Sequence, residues 1–244
     1  MWVDGVTRHK TLHFPRCSPE INKSAGVLGQ FTVPTQRNWP CLGEVNWTND
    51  ENRTLWLVRH GESTWNAQGL IQGQADGPTL TEKGRQQSAE AALRLRDVAI
   101  GAIYTSDLER ARETAAFVGS ALGLGVRCHG ALRERCFGVF EGRSLTSLDS
   151  IDSGIRGDRV VDASARPEGG ESLDELYERV GRFVDWLGDQ PHGGDVAVVT
   201  HGGTIRALRA YGAGTPMREL EWDVVPNGSV WGVRQRAEVQ PTKC

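Results

Sequence analysis

Two short apolar segments of this chain each end in a histidine that is followed directly by a glycine. Residues 55–58 lead through Arg59 into His60, and residues 195–200 lead into His201. Apolar runs of this length predict buried strands, and the glycines predict that each strand stops at that point. Ligands of open α/β sheets bind beyond the carboxyl ends of the strands. We therefore expect the two histidines to lie at matching corners of one pocket.

From residue 53 onward, apolar and amphipathic segments alternate in the manner of βα units, which predicts an α/β fold. Thr81 is the expected N-cap of one helix, and the pairs Ser106–Glu109 and Ser172–Glu175 match capping boxes of two others. The predicted strands are residues 55–58, 99–104, 126–129, 195–200 and 229–233, with the last at an edge of the sheet. The predicted helices are residues 81–97, 106–122, 172–187 and 204–211.

The chain divides into three parts by its patterning. Residues 1–52 contain four prolines and no sustained hydrophobic period, so we interpret them as an irregular N-terminal extension. Residues 53–236 form the predicted folded domain, in which residues 144–170 are expected to be a partly helical lid. Residues 237–244 are a predicted C-terminal tail.

Composition excludes several classes of partner. The net charge of -3 gives no support for binding a polyanion, so we expect no nucleic acid partner. No apolar run is long enough to span a membrane, and residues 1–14 lack the apolar core of a signal peptide. We expect no membrane contact and a cytoplasmic location. The five cysteines are scattered, which predicts incidental thiols rather than a zinc site or a disulfide framework. A homodimer is left open.

A lone histidine is more often structural than catalytic, so His60 and His201 need a further reason to be assigned a function. Their place at strand ends, each before a glycine that permits close approach of a ligand, favours function. Metal binding is the other alternative, since Glu62 lies close to His60 in sequence. No HxH, HExxH or cysteine partner accompanies them, and we therefore expect no metal.

The segment Leu57-Val58-Arg59-His60-Gly61-Glu62-Ser63 closely resembles the signature of the histidine phosphatase superfamily, the cofactor-dependent phosphoglycerate mutases and their phosphatase relatives. Further blocks that resemble the family follow in its order, at residues 65–66, 72–73, 80–84, 104–111, 132–138, 170–172 and 200–202. An ordered set is far more specific than a single Arg-His-Gly. The resemblance implies a phosphoglycerate mutase-like fold, a three-layer α/β/α sandwich with a mostly parallel central sheet.

The resemblance also assigns chemistry to residues. It implies that His60 is a nucleophile that forms a phosphohistidine intermediate, with no cofactor. It implies that Glu134 is the general acid that protonates the departing oxygen. Without the resemblance, Glu134 would be interpreted as a solvated loop carboxylate paired with Arg133 or Arg135.

The remaining site residues are carried over in the same way. A phosphomonoester has close to two negative charges, which cationic side chains offset in the transition state. The resemblance implies that this role falls to Arg59, Arg110 and His201. The predicted phosphate or substrate contacts are Asn66, Gln72, Gly73 and Gly202.

The phosphatase branch is favoured over the mutases. Mutases of this family resemble the phosphatases in the core, but carry a longer insertion after the glutamate, with paired arginines that hold a bisphosphate cofactor. Here the insertion after the glutamate is short, since only residues 135–170 separate Glu134 from Glu171. The arginines at 156, 159 and 166 are isolated from one another in sequence. A shorter lid lets water reach phosphohistidine, as a hydrolase requires. A phosphoglycerate mutase and a non-catalytic regulator that binds phosphorylated ligands are the alternatives.

The expected substrate is a small phosphorylated metabolite whose alcohol the sequence does not identify. The alcohol half of the pocket is expected to be lined by the lid at residues 144–170 and by Trp65, Ile71, Phe140 and Glu141. These residue types are too generic to separate sugar phosphates, phosphoglycerates and nucleotides.

Overall fold

The computed structural model describes residues 41–45, 53–150, 153–191 and 193–235. The strands are β1 (Cys41–Val45), β2 (Thr54–Arg59), β3 (Ile100–Thr105), β4 (Val126–Cys128), β5 (Ile155–Arg156), β6 (Arg159–Val160), β7 (Asp195–Thr200) and β8 (Val230–Gln235). The helices are α1 (Thr64–Ala67), α2 (Glu82–Leu95), α3 (Glu109–Leu122), α4 (Leu173–Gly188) and α5 (Gly202–Gly212). The rest of the predicted extension and the predicted tail lie outside the described residues.

Six strands form one sheet in the order β1-β8-β2-β7-β3-β4. Neighbouring strands are parallel throughout except for β8, which is antiparallel to β2. The prediction of a mostly parallel sheet is therefore confirmed. The prediction of an edge position for the last strand is wrong, because β1 pairs along the outer side of β8. β1 comes from a stretch that was predicted to be irregular.

Helices cover both faces of the sheet, as predicted for a three-layer α/β/α sandwich. The core on one face is shared with α4 and α5, and the core on the other face with α2 and α3. Leu57 of β2 belongs to the first core and its neighbour Val58 to the second, because successive strand residues point to opposite faces. Parallel strands buried on both faces are continuous apolar runs, which explains the pattern of residues 55–58 and 196–199.

Two of the three predicted helix caps are present. Thr81 caps α2 through Gly84 N–H, and Ser172 with Glu175 forms a complete capping box at α4. The predicted box of Ser106 and Glu109 is wrong, because α3 begins only at Glu109 and its N-cap, Leu108, makes no side-chain cap. The Glu109 N–H instead donates to Asp76 Oδ1 at 3.1 Å.

A close backbone contact fixes the direction in which the chain leaves β2. A Cβ atom at Gly61 would lie 2.1 Å from the carbonyl oxygen of Gly84, and one at Gly84 would lie 2.0 Å from the carbonyl oxygen of Glu62. Only glycine permits this approach at both positions. The turn after His60 is thus held directly against the start of α2.

The lid predicted at residues 144–170 contains a 3₁₀ helix, Leu145–Ser150, followed by the β5–β6 hairpin. Arg156 and Arg159 face each other across this hairpin, so the interpretation of these arginines as isolated is wrong for this pair. Arg166 forms an ion pair with Glu175 of α4. The loop is therefore tied to the helix that follows it.

Cys128 is disulfide-bonded, so the prediction of incidental thiols is wrong at this residue, whereas Cys136 carries a free thiol.

Within residues 53–150, 153–191 and 193–235, no helix is long and apolar enough to cross a membrane. In the same ranges, no three His, Cys, Asp or Glu side chains are grouped as metal ligands would be.

Candidate active site

The two histidines meet at the carboxyl edge of the sheet. Arg59 and Thr200 are partners in the parallel register of β2 and β7, so the residues that follow them, His60 and His201, leave the sheet side by side. The imidazole centroids are 5.1 Å apart with an interplanar angle of 62°, and both side chains are buried. The two rings thus lie side by side at this edge of the sheet, as expected from the sequence.

His60 is held in one orientation and one tautomer. Its backbone N–H donates to the Thr200 carbonyl at 3.0 Å, and its Nδ1 lies 2.7 Å from the Gly61 carbonyl oxygen. Because a carbonyl oxygen only accepts, Nδ1 carries the proton and Nε2 has the free lone pair. Burial, with Arg110 and Arg59 nearby, lowers the pKa of His60 well below its usual value. The ring is therefore neutral at physiological pH, with a lone pair available on Nε2.

Two arginines, the half-buried Arg59 and the buried Arg110, lie close to this imidazole. Arg59 donates through Nη1 to the Val225 carbonyl, and Arg110 donates through Nη2 to the Gly73 carbonyl at 2.7 Å and through Nη1 to the Ala75 carbonyl at 2.9 Å. Burial lowers the pKa of Arg59 to about 10 and that of Arg110 to about 10, so both stay cationic at neutral pH. The sequence alone would have made Arg110 an exposed helix residue, but it is 1% exposed.

Several buried polar side-chain atoms in this cluster, most of them donors, have no hydrogen-bond partner in the protein. Among the described residues, five buried side-chain N or O atoms lack a partner, and four of them belong to Arg59, Arg110 and His201. Folded proteins satisfy the large majority of buried polar groups, so a concentration of this kind indicates a ligand site. The unpaired atoms are Arg59 Nε, Arg110 Nε and both ring nitrogens of His201. Donors around a neutral imidazole suit a compact anion with several acceptor oxygens, such as phosphate.

Glu134 reaches the same region from a loop after β4. Its Oε2 accepts the Gly203 N–H at 2.9 Å, at the first turn of α5, and its Oε1 accepts the Arg135 N–H at 2.8 Å. The guanidinium groups of its two neighbours are engaged elsewhere. Arg133 forms a bidentate pair with Asp107 at 2.7 and 2.6 Å, and Arg135 donates to backbone carbonyls. The alternative of a solvated carboxylate paired with either neighbour does not describe this structure.

The four predicted substrate contacts lie in three different settings. Asn66 and Gln72 both accept from the Ser63 hydroxyl through their amide oxygens, at 3.2 and 2.7 Å. Gly73 has φ +49° and supplies the carbonyl that binds Arg110, which gives it a supporting role as well. Gly202 lies beside Arg59, since a Cβ there would be 3.6 Å from the guanidinium carbon.

Sequence reasoning missed residues that organise this cluster. Asn227 Nδ2 donates to the His60 carbonyl and to Asn66 Oδ1, both at 3.1 Å. Glu141 was expected to line the pocket, but its Oε1 accepts the N–H groups of Gln74 and Phe137 at 2.8 and 3.0 Å. Asn227 lies in an Asn-Gly turn, and this local signal says nothing about which distant residue it contacts.

Another missed residue is Arg206 of α5. Its Nε donates to the Asp223 carbonyl at 2.8 Å, and its guanidinium carbon lies 4.4 Å from the centroid of the Trp222 ring. Its Nη1 would be 3.4 Å from a Cβ at Gly202, on the side where Arg59 also lies.

Ile71, which was expected to line the pocket, is buried at 2% exposure against Phe137.

Burial of His60 and His201 predicts a loss of stability in acid. The pKa of each is lowered well below the usual 6.5, chiefly by burial, so the folded state keeps both rings neutral. Below pH 6.5 the unfolded chain binds protons that the folded chain does not, and the free energy of unfolding falls as pH falls. Each ring thus contributes stability that is fully present above pH 6.5 and is lost progressively as pH falls below that value.

Urea unfolding between pH 7.5 and pH 5 measures this effect. We expect the wild type to lose stability more steeply than a His201→Gln variant, by the contribution of one ring. Carboxylates titrate equally in both proteins and cancel in the comparison. Equal pH slopes for the two proteins would show that His201 is protonated in the folded state.

Residues 55–240 match the family model of the histidine phosphatase superfamily, branch 1. The chain is 39% identical over 165 residues to the probable phosphoglycerate mutase GpmB of Escherichia coli O1:K1, covering 66% of this chain and 75% of the relative. Its structure is similar to that of mycobacterial glucosyl-3-phosphoglycerate phosphatase, with a TM-score of 0.63, 33% identity, and coverage of 73% and 88% of the two chains. A candidate alpha-ribazole-5'-P phosphatase from Escherichia coli K-12 is similar with a TM-score of 0.64 at 29% identity, covering 75% and 95%.

Proposed function

Because this chain belongs to the histidine phosphatase superfamily, we propose that it hydrolyses a small phosphorylated metabolite through a phosphohistidine intermediate, without a metal ion. One observation carries the proposal. The unpaired buried donors of Arg59, Arg110 and His201 surround a neutral imidazole whose Nε2 is free to attack. This arrangement supports the proposal that a nucleophile and anion-binding groups act together in one cluster.

In the first step, Arg59, Arg110 and His201 bind the phosphoryl oxygens, and His60 Nε2 attacks phosphorus. The bond from phosphorus to the alcohol oxygen breaks, and protonated Glu134 gives its proton to that oxygen. General acid catalysis of this kind is worth about 10² to 10⁴ in rate. The positive charge that the attack leaves on the ring is shared with the Nδ1–H, which donates to the Gly61 carbonyl.

In the second step, water attacks the phosphohistidine. Glu134, now a carboxylate, takes a proton from that water, the bond from Nε2 to phosphorus breaks, and inorganic phosphate leaves. His60 returns to its neutral form and Glu134 to its acid form. The same carboxyl group thus serves as acid and then as base, which requires it to stay within hydrogen-bond reach of the reacting oxygen.

A phosphoglycerate mutase is the second candidate. It is supported by the relative named as a probable mutase and by Arg156 and Arg159, which lie opposite each other on the lid. Hydrolysis is supported instead by the phosphatases among the structural neighbours. The shortness of the lid supports it as well. The named neighbours also support substrates of the phosphoglycerate or sugar phosphate class. A cytoplasmic location stays a prediction.

Phosphate release from a panel of phosphomonoesters tests the proposal. We expect the purified protein to release phosphate from at least one of 3-phosphoglycerate, glucosyl-3-phosphoglycerate, ribose 5-phosphate and 4-nitrophenyl phosphate. Activity should be unchanged by a chelator, because no step uses a metal. Interconversion of 2- and 3-phosphoglycerate faster than phosphate release from any ester would support the mutase instead. Loss of activity with the chelator would contradict the metal-free reaction.

A further inference from the structure

The loop that carries Glu134 has little regular structure, and its backbone is held by side chains of other elements. Every carbonyl oxygen from residue 131 to residue 134 accepts a hydrogen bond from a side chain outside the loop. The donors are Arg179 to Ala131, Arg133 and Glu134, Thr200 to Leu132, Thr204 to Arg133, and Gln74 to Glu134. One side chain, Arg179 of α4, therefore serves three of these four carbonyls.

Arg179 is itself fixed by a bidentate ion pair. Its Nε and Nη2 lie 2.8 Å from Oε1 and Oε2 of Glu171, and the two side chains are only 16% and 14% exposed. Glu171 Oε2 also accepts the N–H of Cys136 at 3.3 Å. The ion pair thus holds the loop through residues before and after Glu134 in the sequence. A fork of this kind fixes orientation as well as distance, which a single ammonium group does not.

Stability alone is a weak reason for such a pair. Removing two charges from water offsets most of their attraction, so a largely buried ion pair adds little to folding. The geometry of the ion pair, however, acts on Glu134, the group whose position must be fixed most accurately. The Arg179 Nη2 that binds Glu171 also donates to the Glu134 carbonyl at 3.2 Å. Proton transfer requires an oxygen within about 3 Å of the reacting atom, so a small shift of this backbone removes it.

We propose that Arg179, oriented by Glu171, is the positioning residue for the acid and base work of Glu134. The inference rests on the proposed function and names a residue that acts through another without touching substrate. It has a distinctive chemical consequence. A proton donor helps a strongly basic alkoxide to leave, whereas a weakly basic nitrophenolate leaves without one. Loss of positioning therefore depends on the leaving group, whereas a general loss of folded enzyme does not.

Two probes that differ by one methylene group provide the test, 4-nitrophenyl phosphate and 4-nitrobenzyl phosphate. The quantity measured is kcat/KM, which includes the steps up to departure of the alcohol and leaves out the later attack of water. We expect Arg179→Lys and Glu171→Gln to lower kcat/KM about 10- to 100-fold for the benzyl ester, as a partial loss of general acid catalysis. For the nitrophenyl ester we expect a change of less than about threefold. Glu134→Gln should show the same selectivity in a stronger form.

The kcat/KM values for the two esters are measured on one preparation of each variant. Partial unfolding lowers both values by the same factor, so their ratio does not change. Arg182→Lys is the matched control on the same helix. Arg182 is 71% exposed and lies 4.0 Å from Glu178, and its variant should keep the wild-type ratio. If Glu134→Gln is selective while both Arg179→Lys and Glu171→Gln keep the wild-type ratio, the positioning role is rejected and the proposed function stands. If the wild type releases phosphate from neither ester and from no other member of the phosphomonoester panel, the proposed function fails, and the inference fails with it.

Discussion

A His60→Asn variant is expected to lose five to six powers of ten in kcat, or about 7 to 8 kcal/mol of transition-state stabilisation. Asparagine keeps a donor near the Nδ1 position, which faces the Gly61 carbonyl at 2.7 Å, so the turn after β2 is preserved. It removes Nε2, the atom that would bond to phosphorus. Since the intermediate cannot form, no other group in the cluster compensates for the loss.

Trapping the intermediate shows which atom is attacked. Phosphohistidine survives base, so wild-type enzyme quenched rapidly in base after mixing with ³²P-labelled 4-nitrophenyl phosphate should carry label, and the His60→Asn variant should carry none. Glu134→Gln is the positive control. This ester needs no proton to leave, but water attack needs the base, so label should accumulate in that variant. Turnover by His60→Asn at the wild-type rate, or label on another residue, would reject the mechanism.

The second large effect is expected at Arg110. An Arg110→Gln variant should lose about 10³ in kcat/KM, or about 4 kcal/mol, because a buried cation no longer offsets the phosphoryl charge. Burial of Arg110 in a low-dielectric setting strengthens its interaction with an anion. The substitution also removes donors from the Gly73 and Ala75 carbonyls, which shape the neighbouring loop. Steady-state kinetics with 4-nitrophenyl phosphate and competition by inorganic phosphate measure both consequences.

Arg112→Gln is the matched control for this prediction. Arg112 lies two residues further along α3, is 42% exposed, and pairs with Glu109 at the surface. Its loss should change kcat/KM less than about twofold, as surface pairs contribute little. If Arg110→Gln retains phosphate affinity and activity within tenfold of the wild type, the cation is structural and the anion site lies elsewhere.

Local patterns predicted most of the regular structure. The strand at Asp195–Thr200 matches its prediction at both ends, and the cap at Thr81 and the capping box at Ser172 are present. These features depend on neighbours in sequence, since an apolar run or a cap is complete within a few residues. The wrong predictions concern features that depend on contacts with segments distant in sequence. Ser106 does not cap α3, and β8 is not an edge strand because β1 pairs beside it.

The candidate site was predicted residue by residue through the resemblance rather than from physical pattern. By itself, the sequence would have made Arg110 an exposed helix residue and Glu134 a solvated carboxylate. The structure buries the first and places the second against the N-terminus of α5. Asn227 and Arg179 had no local signal, since each acts on residues more than forty positions away.

The sequence by itself determined the two strands that deliver His60 and His201, because burial on both faces demands continuous apolar runs and close approach demands glycine. It also determined the family, since many short motifs occur in one order. Only the tertiary structure decided that the donors of Arg59, Arg110 and His201 meet without acceptors. The reason is that strand order and loop placement arise from packing between remote segments, and local periodicity carries no information about which remote segments meet.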